Sequence, residues 1–215
     1  MRRFGWLLVS MCLLMSGIFV RNYMGNIGHI PSASMTPNLV EGDYAWVNRW
    51  SLLDWHLRVD VSRVHPGDVV SLRDPGNTWV YYVKRVIGVP GDHIRIVNGE
   101  VWRNNVLLSC GSGRMMVQTA FGPLSVPVRH ECLNGHHYNV VDWVGTVQPY
   151  ADMKEVVIPA GHVFVMGDNR PNSADSRVPV ALGGVGILPV TLLDGRVMRV
   201  LGSGYDMGRL GLVVP

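Results

Sequence analysis

The sequence lacks the features that mark nucleic-acid-binding chains and long helical proteins. Its 19 lysines and arginines against 16 acidic residues give a formal charge of only +3, and no run of five or more basic residues occurs. Charge dispersed in this way excludes a basic arm for nucleic acid, so we expect no nucleic-acid partner. Beyond the N-terminal region, no stretch keeps the period of an amphipathic helix. The body of the chain is therefore predicted to be mostly β.

Cysteine is also scarce, with three residues in a chain of 215. Cys12 lies in an apolar stretch, which leaves Cys110 and Cys132 in the rest of the chain. An oxidising compartment would permit these two to pair, but the sequence does not decide whether they do. Side chains able to bind a metal lie near one another at His130, Cys132, His136 and His137. Their spacing matches no closed tetrahedral zinc pattern, so we expect no metal and no cofactor.

The N-terminus carries the pattern of a membrane anchor. Arg2 and Arg3 precede an uncharged stretch from Phe4 to Val20, and Arg21 ends it. At about 1.5 Å per residue this stretch reaches the short end of what spans a hydrocarbon core. Residues 1–21 are predicted to form one transmembrane helix with a cytoplasmic N-terminus, because the basic residues come first. A cleaved secretory signal peptide has the same pattern, so retention of the anchor is left open. Both interpretations export the rest of the chain.

Short β-branched and aromatic runs separated by turn residues fill residues 22–215, which are predicted to form one exported β domain. A glycine followed by Asp or His opens four such runs, at Gly42, Gly67, Gly91 and Gly161. This order is expected where a turn leads into a strand. Glycine and proline interrupt the pattern between Ile96 and Ile158. An inserted subdomain or a set of long hairpins is predicted there, at about 97–157.

The strand predicted around Lys84 separates two basic residues. The face of Lys84 also carries Val80, Tyr82 and Val86, whereas Arg85 points to the other face. If the lysine face is buried, desolvation lowers the pKa of Lys84 from about 10.4, as a lysine base working near pH 7 to 8 requires. A surface lysine that extends past its neighbours into water is the alternative.

Ser34 is the candidate for the hydroxyl that such a base activates. Pro31 and Pro37 stiffen its loop, and the small Ala33 leaves the approach to Ser34 open. Neutral lysine can take the proton of a serine without the histidine and aspartate of a triad. The hydroxyl of Ser32 and the backbone N–H of Ser34 are suited to hold an oxyanion. No G-x-S-x-G elbow occurs, which argues against an α/β-hydrolase.

Three segments, in this order behind the apolar stretch, resemble the signature boxes of type I signal peptidases. Pro-Ser-Ala-Ser-Met-Thr-Pro, within Ile30–Pro37, resembles the nucleophile box. Tyr-Val-Lys-Arg-Val-Ile-Gly-Val-Pro-Gly-Asp, within Tyr81–Asp92, resembles the box that carries the base. Gly-Asp-Asn-Arg-Pro-Asn-Ser-Ala-Asp-Ser-Arg, within Met166–Arg177, resembles the third box. Three boxes in the same order make chance agreement a poor explanation.

The resemblance implies a role for each matching residue. It makes Ser34 the nucleophile and Lys84 the general base, with Ser32 as the oxyanion hydroxyl. It also implies that Ser173 orients Lys84 through a hydrogen bond. Two ion pairs are implied to hold the loops of the site, Arg85 with Asp168 and Asp175 with Arg177.

The resemblance further implies an antiparallel β-sheet catalytic core with an inserted subdomain, preceded by one N-terminal transmembrane helix. The expected function is that of a membrane-bound serine endopeptidase that removes N-terminal signal peptides from exported preproteins. Its partners would be preproteins with small residues at positions −1 and −3 of the cut, and the lipid bilayer. The expected location is the plasma (inner) membrane, single-pass, with the catalytic domain on the exported side; the mitochondrial inner membrane is the alternative.

Other interpretations are also open. A specialised relative with one dedicated substrate, either a conjugation-associated processing peptidase or a mitochondrial inner-membrane peptidase, would use the same chemistry. A self-cleaving Ser/Lys repressor is disfavoured, because an apolar stretch stands where its DNA-binding helices belong. A catalytically inactive, membrane-tethered binding protein would be expected to have lost Ser34 or Lys84, and both are present. A Ser/His/Asp site using His65 or His162 is weaker, since nothing places either histidine near Ser34.

Overall fold

The computed structural model describes residues 10–16, 25–49, 61–119, 121–141 and 150–215. Of the predicted anchor, residues 10–16 are helical, and the rest of 1–21 lies outside the described residues. Among the residues described, no helix is both long enough and apolar enough to cross a membrane. The transmembrane helix therefore stays a prediction.

The prediction of a mostly β chain is confirmed by fourteen strands among the described residues. In chain order they are β1 Asn26–His29, β2 Asp43–Arg49, β3 Val69–Arg73, β4 Tyr81–Gly88, β5 His93–Val97, β6 Glu100–Arg103, β7 Val106–Leu107, β8 Ser109–Thr119, β9 Gly122–Leu133, β10 His136–Val141, β11 Met153–Val157, β12 His162–Met166, β13 Leu188–Pro189 and β14 Leu193–Ser203. Short 3-10 helices join them at Ala33–Met35, Val61–Arg63, Arg170–Asn172, Val180–Leu182, Val190–Leu192 and Met207–Arg209.

The strands form three antiparallel sheets. The largest has seven strands in the order β1-β2-β14-β3-β4-β12-β13, which places β4 between β3 and β12. A four-stranded sheet has the order β11-β5-β6-β7, and a three-stranded sheet has the order β10-β9-β8. Except for β5, which begins at His93, the strands of the two smaller sheets lie in the part of the chain for which an inserted subdomain at about 97–157 is predicted. The boundaries of that subdomain remain a prediction.

The four glycines predicted at turn-to-strand junctions all have positive φ, between 74° and 103°. Strands β2, β3, β5 and β12 follow them within two residues. Glycine is favoured here because a side chain is strained in the left-handed region. The turn prediction is confirmed at all four positions.

Strand β4 is buried on both faces at its C-terminal end. Val86 packs into a cluster with Val70, Val163 and Leu188, whereas the neighbouring Ile87 packs on the other side with Ile94 and Phe164. Along the face predicted for Lys84, Val80 is 38% exposed and Val86 is fully buried. Lys84 thus lies where the strand passes from the surface into the core.

Candidate active site

Ser34 lies on the short 3-10 helix Ala33–Met35, between β1 and β2. Met35 is 1% exposed and anchors this helix in a buried cluster with residues of β2, β3 and β14. Asn169 fixes the backbone from the other side, because its N–H donates to the Ser34 carbonyl at 3.0 Å and its side-chain amide donates to the Ala33 carbonyl at 3.0 Å. Ser34 itself is partly exposed. Its backbone is fixed by the burial of Met35 and by the two hydrogen bonds from Asn169.

Lys84 reaches the same point from β4. Its Nζ lies 2.9 Å from Ser34 Oγ, and the residue is 2% exposed. Burial lowers the pKa of Lys84 from 10.5 to about 8, because the interior disfavours the ammonium; the carboxylates of Asp175 and Asp168 offset part of this effect. A substantial fraction of Lys84 is therefore neutral at mildly alkaline pH, as a proton acceptor must be.

Ser32 lies beside the serine but is itself exposed. Its hydroxyl donates to Ser34 Oγ over 3.3 Å. This distance is longer than the usual range for a bond between hydroxyl groups, so the Ser32 oxygen is close to Ser34 but only weakly bound to it.

Ser173 differs from what the family resemblance implies. Its hydroxyl oxygen is buried and, within the described part of the chain, has no hydrogen-bond partner, Lys84 included. The oxygen instead packs against Gly167, where an added Cβ would come within 2.3 Å of it and within 2.5 Å of the Ser34 carbonyl oxygen. The structure therefore brings Ser173 beside the serine loop without the predicted bond to the lysine.

Arg85 and Asp168 form a buried, bidentate ion pair. Arg85 Nε and Nη2 each lie 2.8 Å from an Asp168 oxygen, and both residues are at most 1% exposed. Burial opposes the charge of Arg85, but Asp168 outweighs it and raises the pKa of the guanidinium. The second Asp168 oxygen also accepts from Asn38 at 2.7 Å, and the Arg85 guanidinium stacks on the Tyr138 ring at 3.8 Å. The pair ties β4 to the loop after β12.

Asp175 and Arg177 form a second buried pair on that loop. Arg177 Nε and Nη2 each lie 2.8 Å from an Asp175 oxygen, and the Gly167 N–H donates to Asp175 at 3.0 Å. Burial would raise the pKa of Asp175, but the charge and hydrogen bonds of Arg177 lower it overall. Asp175 therefore remains a carboxylate in the interior. Both predicted pairs are present in the structure.

Sequence reasoning missed several residues that support the site. Besides Asn38, Tyr138 and Asn169, it missed the buried pair between Arg170 and Glu131, in which Arg170 Nη1 donates to Glu131 at 2.7 Å and Nη2 contacts the other oxygen. Asn169 and Arg170 lie inside the third box, which was a usable signal. Nothing in the sequence links Glu131, on β9, to that loop.

Cys110 and Cys132 form a disulfide between β8 and β9, with Cα atoms 6.0 Å apart. His137 Nδ1 lies 3.2 Å from Cys132 Sγ. A metal held by Cys110, Cys132 and His137 would need both sulfurs as ligands. The two sulfurs are bonded to each other in the disulfide. Of the two histidines weighed as an alternative base, His162 contacts the Ala160 carbonyl and His65 contacts Asp68.

An open cleft of about 430 Å³ runs beside Ser34. Residues of β1 line one side and Tyr81, Tyr82 and Val83 of β4 line another. Ile30, Met35 and Val47 make part of its wall apolar. Ser34 is itself one of the lining residues, so a molecule in the cleft would lie beside its hydroxyl.

A serine hydroxyl beside a buried lysine of lowered pKa, next to an open cleft in an antiparallel β fold, has the arrangement of a serine hydrolase with a lysine base. The family model described as signal peptidase, peptidase S26, matches residues 1–201. The chain therefore belongs to the signal peptidase family.

Two relatives, both named signal peptidase I, agree with this assignment. The chain is 32% identical over 203 residues to signal peptidase I of Pseudomonas aeruginosa, covering 88% of this chain and 69% of that protein. It is 33% identical over 177 residues to signal peptidase I of Pseudomonas fluorescens, covering 74% of this chain but only 57% of that protein. A crystal structure of a signal peptidase I from Enterococcus faecalis matches 62% of this chain and 96% of its own, with a TM-score of 0.37 and 20% identity.

Proposed function

We propose that the chain is a membrane-bound serine endopeptidase that removes N-terminal signal peptides from exported preproteins, with Ser34 as nucleophile and Lys84 as general base. The observation that carries this proposal is the 2.9 Å approach of Lys84 Nζ to Ser34 Oγ in a buried site that lowers the lysine pKa to about 8. Membership of the signal peptidase family supplies the substrate class.

The first half of the reaction follows from this pair. Neutral Lys84 accepts the proton of Ser34 as its oxygen attacks the carbonyl carbon of the scissile bond. The oxyanion that forms is held by the Ser34 N–H and the nearby hydroxyl of Ser32. Lys84, now an ammonium, returns its proton to the leaving amine, and the mature protein departs while the signal peptide stays esterified to Ser34.

Hydrolysis of that ester repeats the steps with water. Neutral Lys84 takes a proton from a water molecule, whose oxygen attacks the ester carbonyl, and then returns the proton to Ser34 Oγ. The two buried ion pairs, Arg85–Asp168 and Asp175–Arg177, keep the loops in place through both halves. No step requires a metal or a cofactor.

The cleft suits an extended substrate. A peptide between β1 and β4 would run as an added strand, so its residues at −1 and −3 would point into the cleft together. Small side chains at both positions would leave the backbone close enough for Ser34 to attack. Whether the enzyme serves many preproteins or one dedicated substrate depends on the rest of that cleft.

We further propose that residues 1–21 hold the enzyme in the plasma (inner) membrane, with residues 22–215 on the exported side. An anchor confines enzyme and signal peptide to one interface and raises their effective concentration. The disulfide between Cys110 and Cys132 is consistent with an oxidising exported compartment.

Cleavage of a preprotein with an Ala-x-Ala site by detergent-solubilised enzyme tests the proposal. We expect Ser34→Ala and Lys84→Ala each to lower the rate at least about 1,000-fold. Lys154→Ala is the matched control, because Lys154 is exposed on β11 and its loss should leave the rate unchanged. Circular dichroism would check that each variant is folded. A folded Lys84→Ala enzyme that still cuts at a comparable rate would exclude Lys84 as the base.

A further inference from the structure

The cleft beside Ser34 is lined by polar residues that the proposed reaction does not use. Besides its apolar wall, it is lined by Ser71 of β3, Arg49 of β2 and Asp194 of β14. Ser71 is only 6% exposed and lies between the buried residues Val70 and Leu72. The inference drawn from these three residues rests on the proposed function.

The register of the main sheet brings Arg49 and Ser71 to one face, and Asp194, at a register shift in β14, contacts Arg49. Gly195 of β14 is paired with Arg49 on one side and with Ser71 on the other, and Ser71 is paired in turn with Val83. Directly paired residues of antiparallel strands point to the same face. Gly195 has no side chain to separate its two neighbours, and a Cβ there would lie 2.5 Å from the Asn48 carbonyl oxygen. Arg49 and Ser71 therefore lie on the same face, on either side of a glycine, and both line the cleft.

These polar groups have unused hydrogen-bonding capacity. Arg49 contacts Asp194 at a single point, Nη2 to Oδ1 at 3.3 Å, and its Nε is buried without a partner. The Ser71 hydroxyl lies on the wall of the cleft and is not among the buried side-chain groups that lack a partner in the described part of the chain. Buried polar groups in proteins almost always have a partner. A group that enters the cleft from outside can supply the partner that Arg49 Nε lacks.

The chemistry of the three residues defines that group. Arg49 donates, Asp194 accepts and Ser71 does both, while the opposite charges of Arg49 and Asp194 leave the surface without net charge. An acidic side chain would be drawn to Arg49 but repelled by Asp194, whereas a hydroxyl can donate and accept at once. A hydroxyl side chain is also small enough for the cleft.

The position in the substrate follows from strand geometry. Side chains two residues apart in an extended chain point the same way and are about 6.6 Å apart. With the −1 residue at Ser34, the −3 residue is the next to enter the cleft. We propose that Ser71, Arg49 and Asp194 select preproteins with serine or threonine at −3.

Threonine and valine at −3 make a matched pair for the test, because they have nearly the same shape and differ by the hydroxyl. For otherwise identical preproteins, we expect kcat/KM to be roughly 3- to 10-fold higher with threonine, the value of one hydrogen bond. The same exchange at −2, where the side chain points away from the cleft, should give a ratio near 1.

Variants of the enzyme test which residues cause the preference for threonine over valine at −3. Ser71→Ala removes one oxygen atom and Arg49→Met removes the guanidinium, and each should bring the threonine-to-valine ratio at −3 down to about 1. Arg199→Met is the control, since Arg199 is an exposed arginine on the same strand as Asp194 and should keep the wild-type ratio.

The outcomes separate this inference from the proposed function. A ratio near 1 or below in the unaltered enzyme, with preproteins still cut, overturns the −3 selection and leaves the peptidase standing. An elevated ratio that persists in both Ser71→Ala and Arg49→Met also overturns it. An unaltered enzyme that cuts none of the preproteins overturns both proposals.

Discussion

Lys84 can act as a base only in its neutral form, and its burial decides the pH at which that form appears. Burial lowers its pKa to about 8, so protonation inactivates the enzyme as the pH falls through 8. We expect kcat/KM to rise about tenfold per pH unit below that value and to level off above it. The measurement is a pH profile from 6 to 9.5 with a preprotein lacking ionisable groups near the cut.

The profile also distinguishes the alternatives for the base. A histidine base would place the midpoint near its usual pKa of about 6.5. A lysine that is exposed to water in solution would place the midpoint near 10.4. Either result would contradict a buried Lys84 as the proton acceptor.

At the scale of secondary-structure elements, the short helix that carries Ser34 contacts the loop after β12 at Gly167. A Cβ on this residue would lie 2.5 Å from the Ser34 carbonyl oxygen, and backbone cannot move aside as a flexible side chain can. We expect Gly167→Ala to displace the Ala33–Met35 helix and lower kcat/KM about 100-fold, since a shift of about 1 Å has that effect in well-positioned sites. Overpacking should also lower the free energy of unfolding by about 1–3 kcal/mol.

Gly202→Ala is the control for this change, because a Cβ there meets nothing within 4 Å. Preprotein cleavage and urea unfolding of both variants would be compared with the wild type. Wild-type cleavage by Gly167→Ala would show that the close contact does not position Ser34.

The sequence predicts best those features of the strands and turns that depend on a local pattern. Alternation along β4 separates Lys84 from Arg85, and glycine before a polar residue marks the turns, since both depend on neighbours in the chain. Lysine scarcity was a further usable signal: the sequence has only two, Lys84 and Lys154. The Arg170–Glu131 pair joins residues 39 apart on different elements, and only the packing of the sheets brings them together. The ring of Tyr138 over Arg85 was missed for the same reason.

At the scale of the whole molecule, the three sheets share one interior around the site. Ile87, Phe164 and Met166 of the main sheet pack in one cluster with Ile94 of the four-stranded sheet and Val140 of the three-stranded sheet. Within this interior, the Arg170–Glu131 pair joins the loop after β12, here called the site loop, to β9. Both residues are at most 2% exposed. The small sheets therefore support the site loop from behind.

Glu131→Gln tests this support, because it leaves the charge of Arg170 buried without its carboxylate. Removing one partner of a buried pair costs about 3–5 kcal/mol, so we expect that loss in the free energy of unfolding, measured with urea. Cleavage should fall as well, since Arg170 follows directly after Asn169, which holds the Ser34 backbone.

Two comparisons separate an unpaired charge from a general loss of packing. Glu155→Gln removes an exposed carboxylate that contacts His93 at 2.9 Å, and should change the stability by less than about 1 kcal/mol. The double variant Glu131→Leu with Arg170→Met replaces both charges with apolar side chains. It should recover part of the stability because Arg170 no longer leaves a buried charge without its carboxylate, although Arg129, 3.7 Å from Glu131, still loses that neighbour. If the double variant recovers stability but not cleavage, the Arg170 guanidinium itself positions the site loop. If Glu131→Gln unfolds no more easily than Glu155→Gln, the small sheets do not support the site through this pair.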